Sequence, residues 1–148
     1  MGSSRTDEWA TPPDFFAALE AEYGPFDVDV CATPENAKCA RYFTREQDGL
    51  AQQWRGRCWM NPPYGRAIGI WMAKAWEASR NGAELVCCLV PARTDTRWWH
   101  EYVVRGEVRF LPGRLRFGDG LNPAPFGSAV VVFRNGESVT ESAAGRRT

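Results

Sequence analysis

The chain reads as an α/β fold, a compact mixed sheet flanked by helices, on three observations. Helical and strand periods alternate along it: "TPPDFFAALEAEYGP" runs straight into "FDVDVCA", and the amphipathic stretch after "NPPYG" runs into "ELVCCLVP". The run "LVCCLV" is continuously apolar, as a strand covered on both faces must be. The length, 148 residues, suits one core rather than two.

Each element has its own signal. At 11–25, Thr11 stands as N-cap, Pro12 at the first helical position and Asp14 three residues beyond Thr11, as in a capping box. Phe15, Phe16, Leu19 and Tyr23 recur at helical spacing, and Gly24-Pro25 ends the helix. In "FDVDVCA", Phe26, Val28 and Val30 alternate with Asp27, Asp29 and Cys31, a strand with Asp29 near its carboxyl end. "TPENAKCARYF" reads as a turn with a short irregular or helical piece, and "TREQDGLAQQW" as a second capped turn ending at Trp54. A short strand around "RCWM" precedes "NPPY"; Ile68, Trp71, Met72 and Ala75 then mark a helix to about Asn81-Gly82. "TDTRWWHEYVV" predicts a helix capped by Thr94 or Asp95, with Trp98 and Trp99 on the core and His100 packed or at the surface. "EVRFLPGRLRF" predicts two strands around Pro112-Gly113, "DGLNPAPFG" a loop and "SAVVVF" a final strand. Residues 1–8 and 135–148 read as flexible ends around a single domain at 9–134.

Composition narrows the function classes. Eighteen basic residues balance eighteen acidic ones, which argues against a generic nucleic-acid binder. The charges are unevenly spread: residues 1–60 carry six basic against ten acidic, and residues 91–134 carry seven arginines against four acids. Any phosphate contacts therefore need a local patch. Five cysteines without C-x-x-C spacing and a single histidine, His100, predict no metal site and reduced, mostly buried thiols. With no secretory signal and no apolar run long enough to span a bilayer, the expectation is a cytoplasmic protein without membrane contact.

The chemistry concentrates at "CWMNPPYGR". Pro62 and Pro63 lack an N–H, and each holds the residue before it extended. The Pro62 carbonyl thus has no neighbouring amide to fold onto and stays an outward acceptor. Asn61 adds a side-chain carbonyl, and Tyr64 a flat ring, at the end of a strand where open α/β sheets bind ligands. Two acceptors and a ring suit a planar heterocycle with an exocyclic NH2, whose two hydrogens they would hold while localising the nitrogen lone pair.

With that motif, the order "W-x-TPP … FDVDVCA … DGLAQQW … NPPYG … LVPAR" resembles the phage-type, S-adenosylmethionine-dependent DNA N6-adenine methyltransferases, over residues 9 to 133. The resemblance implies a Rossmann-like methyltransferase fold without a separate target-recognition domain, with S-adenosylmethionine as cofactor and DNA as partner. It implies methyl transfer to the adenine N6 amine in a bacterial or phage-infected cell, by a monomer or weak homodimer. The same chemistry on cytosine N4, RNA adenine or a protein glutamine is the nearest alternative, and a non-catalytic nucleic-acid binder of the same fold another. Carried onto this sequence, Asn61, Pro62, Pro63 and Tyr64 would hold the target base. Thr11 and Pro12 would line the methionine end of the cofactor, and Asp48 would accept from its adenine amine. Asp29, with Asp27 as competitor, would contact it near the strand end, and Trp9 would close over it or staple the first helix. "CATPEN" stands where many methyltransferases have a glycine cluster, which leaves open whether Asp29 belongs to the first strand or the next. Arg93, Arg97, Arg109, Arg114 and Arg116 are candidates to grip a nucleic-acid backbone, with Arg114 and Arg116 on one strand face. A buried site of this kind needs its base flipped out or already single-stranded.

Overall fold

The computed structural model describes residues 9–118, 120 and 122–136. The elements are α1 (Pro13–Tyr23), β1 (Val28–Asp29), β2 (Gly56–Met60), α2 (Ile68–Arg80), β3 (Ala83–Pro91), α3 (Arg97–Glu101), β4 (Glu107–Phe110) and β5 (Ser128–Arg134). One sheet has the order β1-β2-β3-β5-β4. β1, β2 and β3 are parallel, while β5 lies antiparallel between β3 and β4. The expected mixed sheet is therefore present, with its reversed strand one in from the edge.

β3 forms the middle of the core. From Val86 to Val90 its side chains are fully buried, alternating between two covered faces. On one face α1 sets Phe16 edge-on against Trp59, ring centroids 5.0 Å apart, and on the other α2 sets Trp76 against Phe133. Helices on both faces explain the unbroken apolar run of 85–90.

Three local expectations are corrected. The N-cap of α1 is Pro12, in extended geometry, with no side-chain cap bond, so Thr11 does not cap the helix, Pro12 is not its first residue and the capping box with Asp14 does not form. Thr11 is instead buried, with its hydroxyl accepting from Asn61. α3 is capped at Thr96 rather than Thr94 or Asp95, and Thr96 turns its hydroxyl onto the Arg93 carbonyl at 2.7 Å. Arg114 and Arg116 lie in no strand: after β4 the chain turns away at Gly113 (φ 72°), and Phe117 is buried against Trp9, Tyr64 and Phe126. Burying that ring outweighs continuing a four-residue edge strand. Of the predicted tail, Asn135 and Gly136 form a turn bonded to Glu84 and Ser79; the remainder, like residues 1–8, lies outside the described residues.

Candidate active site at the carboxyl end of the parallel strands

A cavity of about 560 Å3 opens at the carboxyl ends of β1 and β2, within the range of roughly 300–1,000 Å3 that holds a cofactor-sized molecule. The extended segment 9–11 lines it, as do the loop after β1, the turn at 43–49 and residues 61–63 after β2. It brings together Trp9, Thr11, Asp29, Asp48, Asn61, Pro62 and Pro63 from the expected set, and leaves Pro12, Tyr64 and all of the named arginines outside.

Asn61 is held by two hydrogen bonds. Its Nδ2 donates to the Trp9 carbonyl and to Thr11 Oγ1, the latter at 2.9 Å. A carbonyl can only accept, so the NH2 must face Trp9 and Oδ1 must face the other way. That Oδ1 is buried and has no hydrogen-bond partner. An orphaned buried acceptor costs roughly 1–3 kcal/mol, so a donor brought to it by a ligand would be favoured there. No described donor reaches the neighbouring Pro62 carbonyl either.

Asp29 organises the loop after β1. Its two oxygens accept from the Cys31 N–H at 3.2 Å and the Lys38 N–H at 3.0 Å, closing residues 31–38 into the cavity wall. Burial pushes its carboxyl up to about 6, against the two amide hydrogen bonds that favour the anion. Asp27, by contrast, is exposed and takes the Arg57 N–H at 2.8 Å, away from the cavity. Of the two aspartates, Asp29 lines the cavity and Asp27 does not. β1 also adjoins β2, the strand that leads into Asn61, so the segment occupies the place next to the "NPPY" strand itself.

Asp48 has left-handed backbone (φ 55°), and its Oδ1 accepts from Leu50 N at 3.2 Å. It is both a turn residue and a cavity residue. Gly49 is forced by close approach: a Cβ there would lie 2.1 Å from the Val30 carbonyl. Trp54 Nε1 donates to the Gly49 carbonyl at 2.8 Å and holds the turn from beneath.

Tyr64 is not where a stacking ring was expected. It is 2% exposed, edge-on to Phe117 and Phe126, and its hydroxyl donates to the Leu89 carbonyl at 3.0 Å. The ring is committed to packing. Arg93 is half-buried and donates to the Tyr64 carbonyl at 2.8 Å. Arg109 is paired with Glu22 and bonded to the Tyr23 hydroxyl at 2.7 Å, a structural tie between β4 and α1. Arg97, Arg114 and Arg116 are exposed, Arg114 lying 3.4 Å from the Ala124 carbonyl.

Sequence reasoning missed the wall residues 31–36, Lys38 and 43–46, together with Trp59 and Trp71. A signal existed for part of these: Thr33 and Asn36 bond each other's backbone reciprocally, as do Thr44 and Gln47 in part, and such turns directly after a strand belong to a sheet's ligand edge.

Comparison with known proteins converges on one family. A family model described as DNA N-6-adenine-methyltransferase (Dam) matches residues 2–140. The DNA N-6-adenine-methyltransferase of Escherichia phage T1 is 35% identical over 97 residues, 64% of this chain and 40% of that protein. That of Haemophilus phage HP1 is 36% identical over 98 residues, 65% of this chain and 56% of that protein. The chain thus spans about half the length of these curated relatives. Among solved structures, the 23S rRNA methyltransferase ErmE superposes with a TM-score of 0.56 at 13% identity, over 95% of this chain and 75% of that one. That likeness establishes a Rossmann-like methyltransferase fold, and the family match over nearly all of the sequence places the chain in the DNA N-6-adenine-methyltransferase (Dam) family.

Proposed function

We propose that this chain transfers a methyl group from S-adenosylmethionine to the N6 amine of adenine in DNA, with Asn61 and Pro62 gripping the amine. The observation that carries this is the orphaned Asn61 Oδ1, buried and oriented by two outward hydrogen bonds beside a free prolyl carbonyl. An exocyclic amine has the two donors those acceptors lack. As the new C–N bond forms and the methyl–sulfur bond breaks to leave a neutral thioether, the nitrogen becomes cationic, and the Asn61 and Pro62 carbonyl dipoles would stabilise that charge. A proton then leaves for solvent.

The residues present fit the cofactor. The cavity has the volume, the Asp29 carboxylate is an anionic partner for a cationic amino acid end, and Asp48 is an exposed acceptor at the far wall. When bound, S-adenosylmethionine supplies an electrophilic methyl on a sulfonium. Asp29 and the 31–38 loop would bind it, Thr11 would orient Asn61, and Trp9 would shield the cavity from water. Exposed Arg97, Arg114 and Arg116 would meet the phosphate backbone while the base is swung out of its stack.

The test is methylation of DNA with labelled cofactor, followed by digestion to nucleosides. Label should appear in N6-methyladenine. Asn61→Ala should lower kcat by about 10²–10³ with cofactor affinity by calorimetry nearly unchanged, since the lost acceptor acts in the transition state. Label in cytosine, or equal loss of turnover and cofactor binding, would overturn the assignment of the site.

A further inference from the structure

We infer that Arg93 and the Tyr64 hydroxyl form a two-point brace that fixes the Asn61–Pro63 turn against β3, making Arg93 a positioning residue rather than a DNA contact. This rests on the site proposed above. The turn cannot hold itself: Pro62 and Pro63 have no N–H to donate, and the first backbone bond inside it is Ile68 N to the Gly65 carbonyl at 3.2 Å. β2 ends at Met60 opposite Cys88, whereas β3 continues to Pro91. Beyond Met60 two successive prolines leave the ladder without donors.

Tyr64 and Arg93 supply what is missing. The Tyr64 hydroxyl donates to the Leu89 carbonyl at 3.0 Å, one residue past the last β2–β3 pair. Arg93 Nη1 returns from the end of β3 to the Tyr64 carbonyl at 2.8 Å. The residue after Pro63 is thus pinned at its side chain and at its backbone. Arg93 is itself held: its N–H donates to the Pro91 carbonyl at 2.9 Å, and its carbonyl accepts from Thr96 Oγ1 at 2.7 Å. Burial raises the Tyr64 phenol well above its ordinary range, which keeps it a donor. A guanidinium bound in this way has one of its N–H groups committed to the Tyr64 carbonyl, which ties the segment after Pro62 and Pro63 to the end of β3.

The experiment compares Arg93→Ala, Arg93→Lys and Tyr64→Phe in the full chain by amide hydrogen exchange, DNA affinity against salt, and turnover at saturating DNA and cofactor. Arg93→Ala and Tyr64→Phe should each speed exchange at 65–68 and lower kcat by about tenfold or more, the loss of one hydrogen bond. Exchange in β3 and the salt slope of DNA binding should stay as in the wild type, and Arg93→Lys should recover part of the turnover. A salt slope lowered by about 1 in Arg93→Ala, with exchange at 65–68 unchanged, would make Arg93 a phosphate contact and overturn the brace. If Arg93→Ala does not fold, Tyr64→Phe and Arg93→Lys decide by the same exchange readout. A wild type that methylates no DNA would defeat the functional reading, while exchange at 65–68 would still decide the brace.

Discussion

At the scale of single residues, Thr11 and Asn61 act as one unit. Thr11 is 50 positions from Asn61 in sequence, yet its hydroxyl and the Trp9 carbonyl decide which way the Asn61 amide points. Thr11→Val keeps the shape and removes the acceptor, so it should lower kcat by about tenfold without unfolding the chain, while Thr11→Ser should retain activity; steady-state kinetics with thermal unfolding of each variant checks this. Asp29 makes a second prediction. Its carboxyl is raised from 3.8 to about 6 by burial, so the folded state holds its proton more tightly than the unfolded one. The resulting stability is complete below 3.8 and lost as pH rises through about 6, a difference on the order of 3 kcal/mol. Urea unfolding of wild type and Asp29→Asn across that range should show the wild type losing stability relative to the variant as pH rises. Cofactor affinity should move oppositely, strengthening as Asp29 ionises against a cationic ligand, and Asp29→Asn should flatten that profile.

At the scale of elements, local sequence decides structure where one periodic signal dominates, and distant segments decide it where a residue has two possible partners. Ile68, Trp71, Met72 and Ala75 predict a helix to about Asn81-Gly82, and α2 runs Ile68–Arg80; the uninterrupted apolar run "ELVCCLVP" lies within β3, Ala83–Pro91. Thr11 carried a valid capping signal, but the Asn61 amide competed for its hydroxyl and prevailed. Leu115 and Phe117 alternate with arginines as an edge strand would, yet Phe117 gains more by joining the Trp9–Tyr64–Phe126 cluster. The Asp48-Gly49 turn shows the same dependence on distant parts, because its tight point is the carbonyl of Val30 in another segment. Gly49→Ala should therefore push the turn off β1, costing about 1–3 kcal/mol and lowering cofactor affinity more than DNA affinity; urea unfolding and calorimetry on both ligands would test it.

At the scale of the whole molecule, the parallel strands bring the carboxyl ends of β1 and β2 side by side, so Asp29 and Asn61 share one cavity although loops, a short 3-10 helix and β2 itself separate them in sequence. The arginine excess of residues 91–134 divides in the fold. Arg109 ties β4 to α1, Arg93 reaches the "NPPY" turn, and Arg97, Arg114 and Arg116 remain exposed. Arg97→Ala should lower the salt slope of DNA binding by about 1, whereas Arg109→Ala should leave the slope unchanged; titrations at several salt concentrations would separate them. Among the described residues no helix is long and apolar enough to cross a membrane.

By itself the sequence determined the α/β class, the position of most elements and the donor-poor "NPPY" segment at a strand end, because periodicity, proline geometry and donor counts are local properties of neighbouring residues. Only the tertiary structure decided that Asp29 rather than Asp27 faces the cavity, that Thr11 orients Asn61 instead of capping a helix, and that Tyr64 and Arg93 turn inward. Those outcomes are competitions for one hydroxyl, one carbonyl or one buried surface between segments far apart in the chain, and a hydrogen bond has no preference for sequence distance once the sheet has brought its partners together.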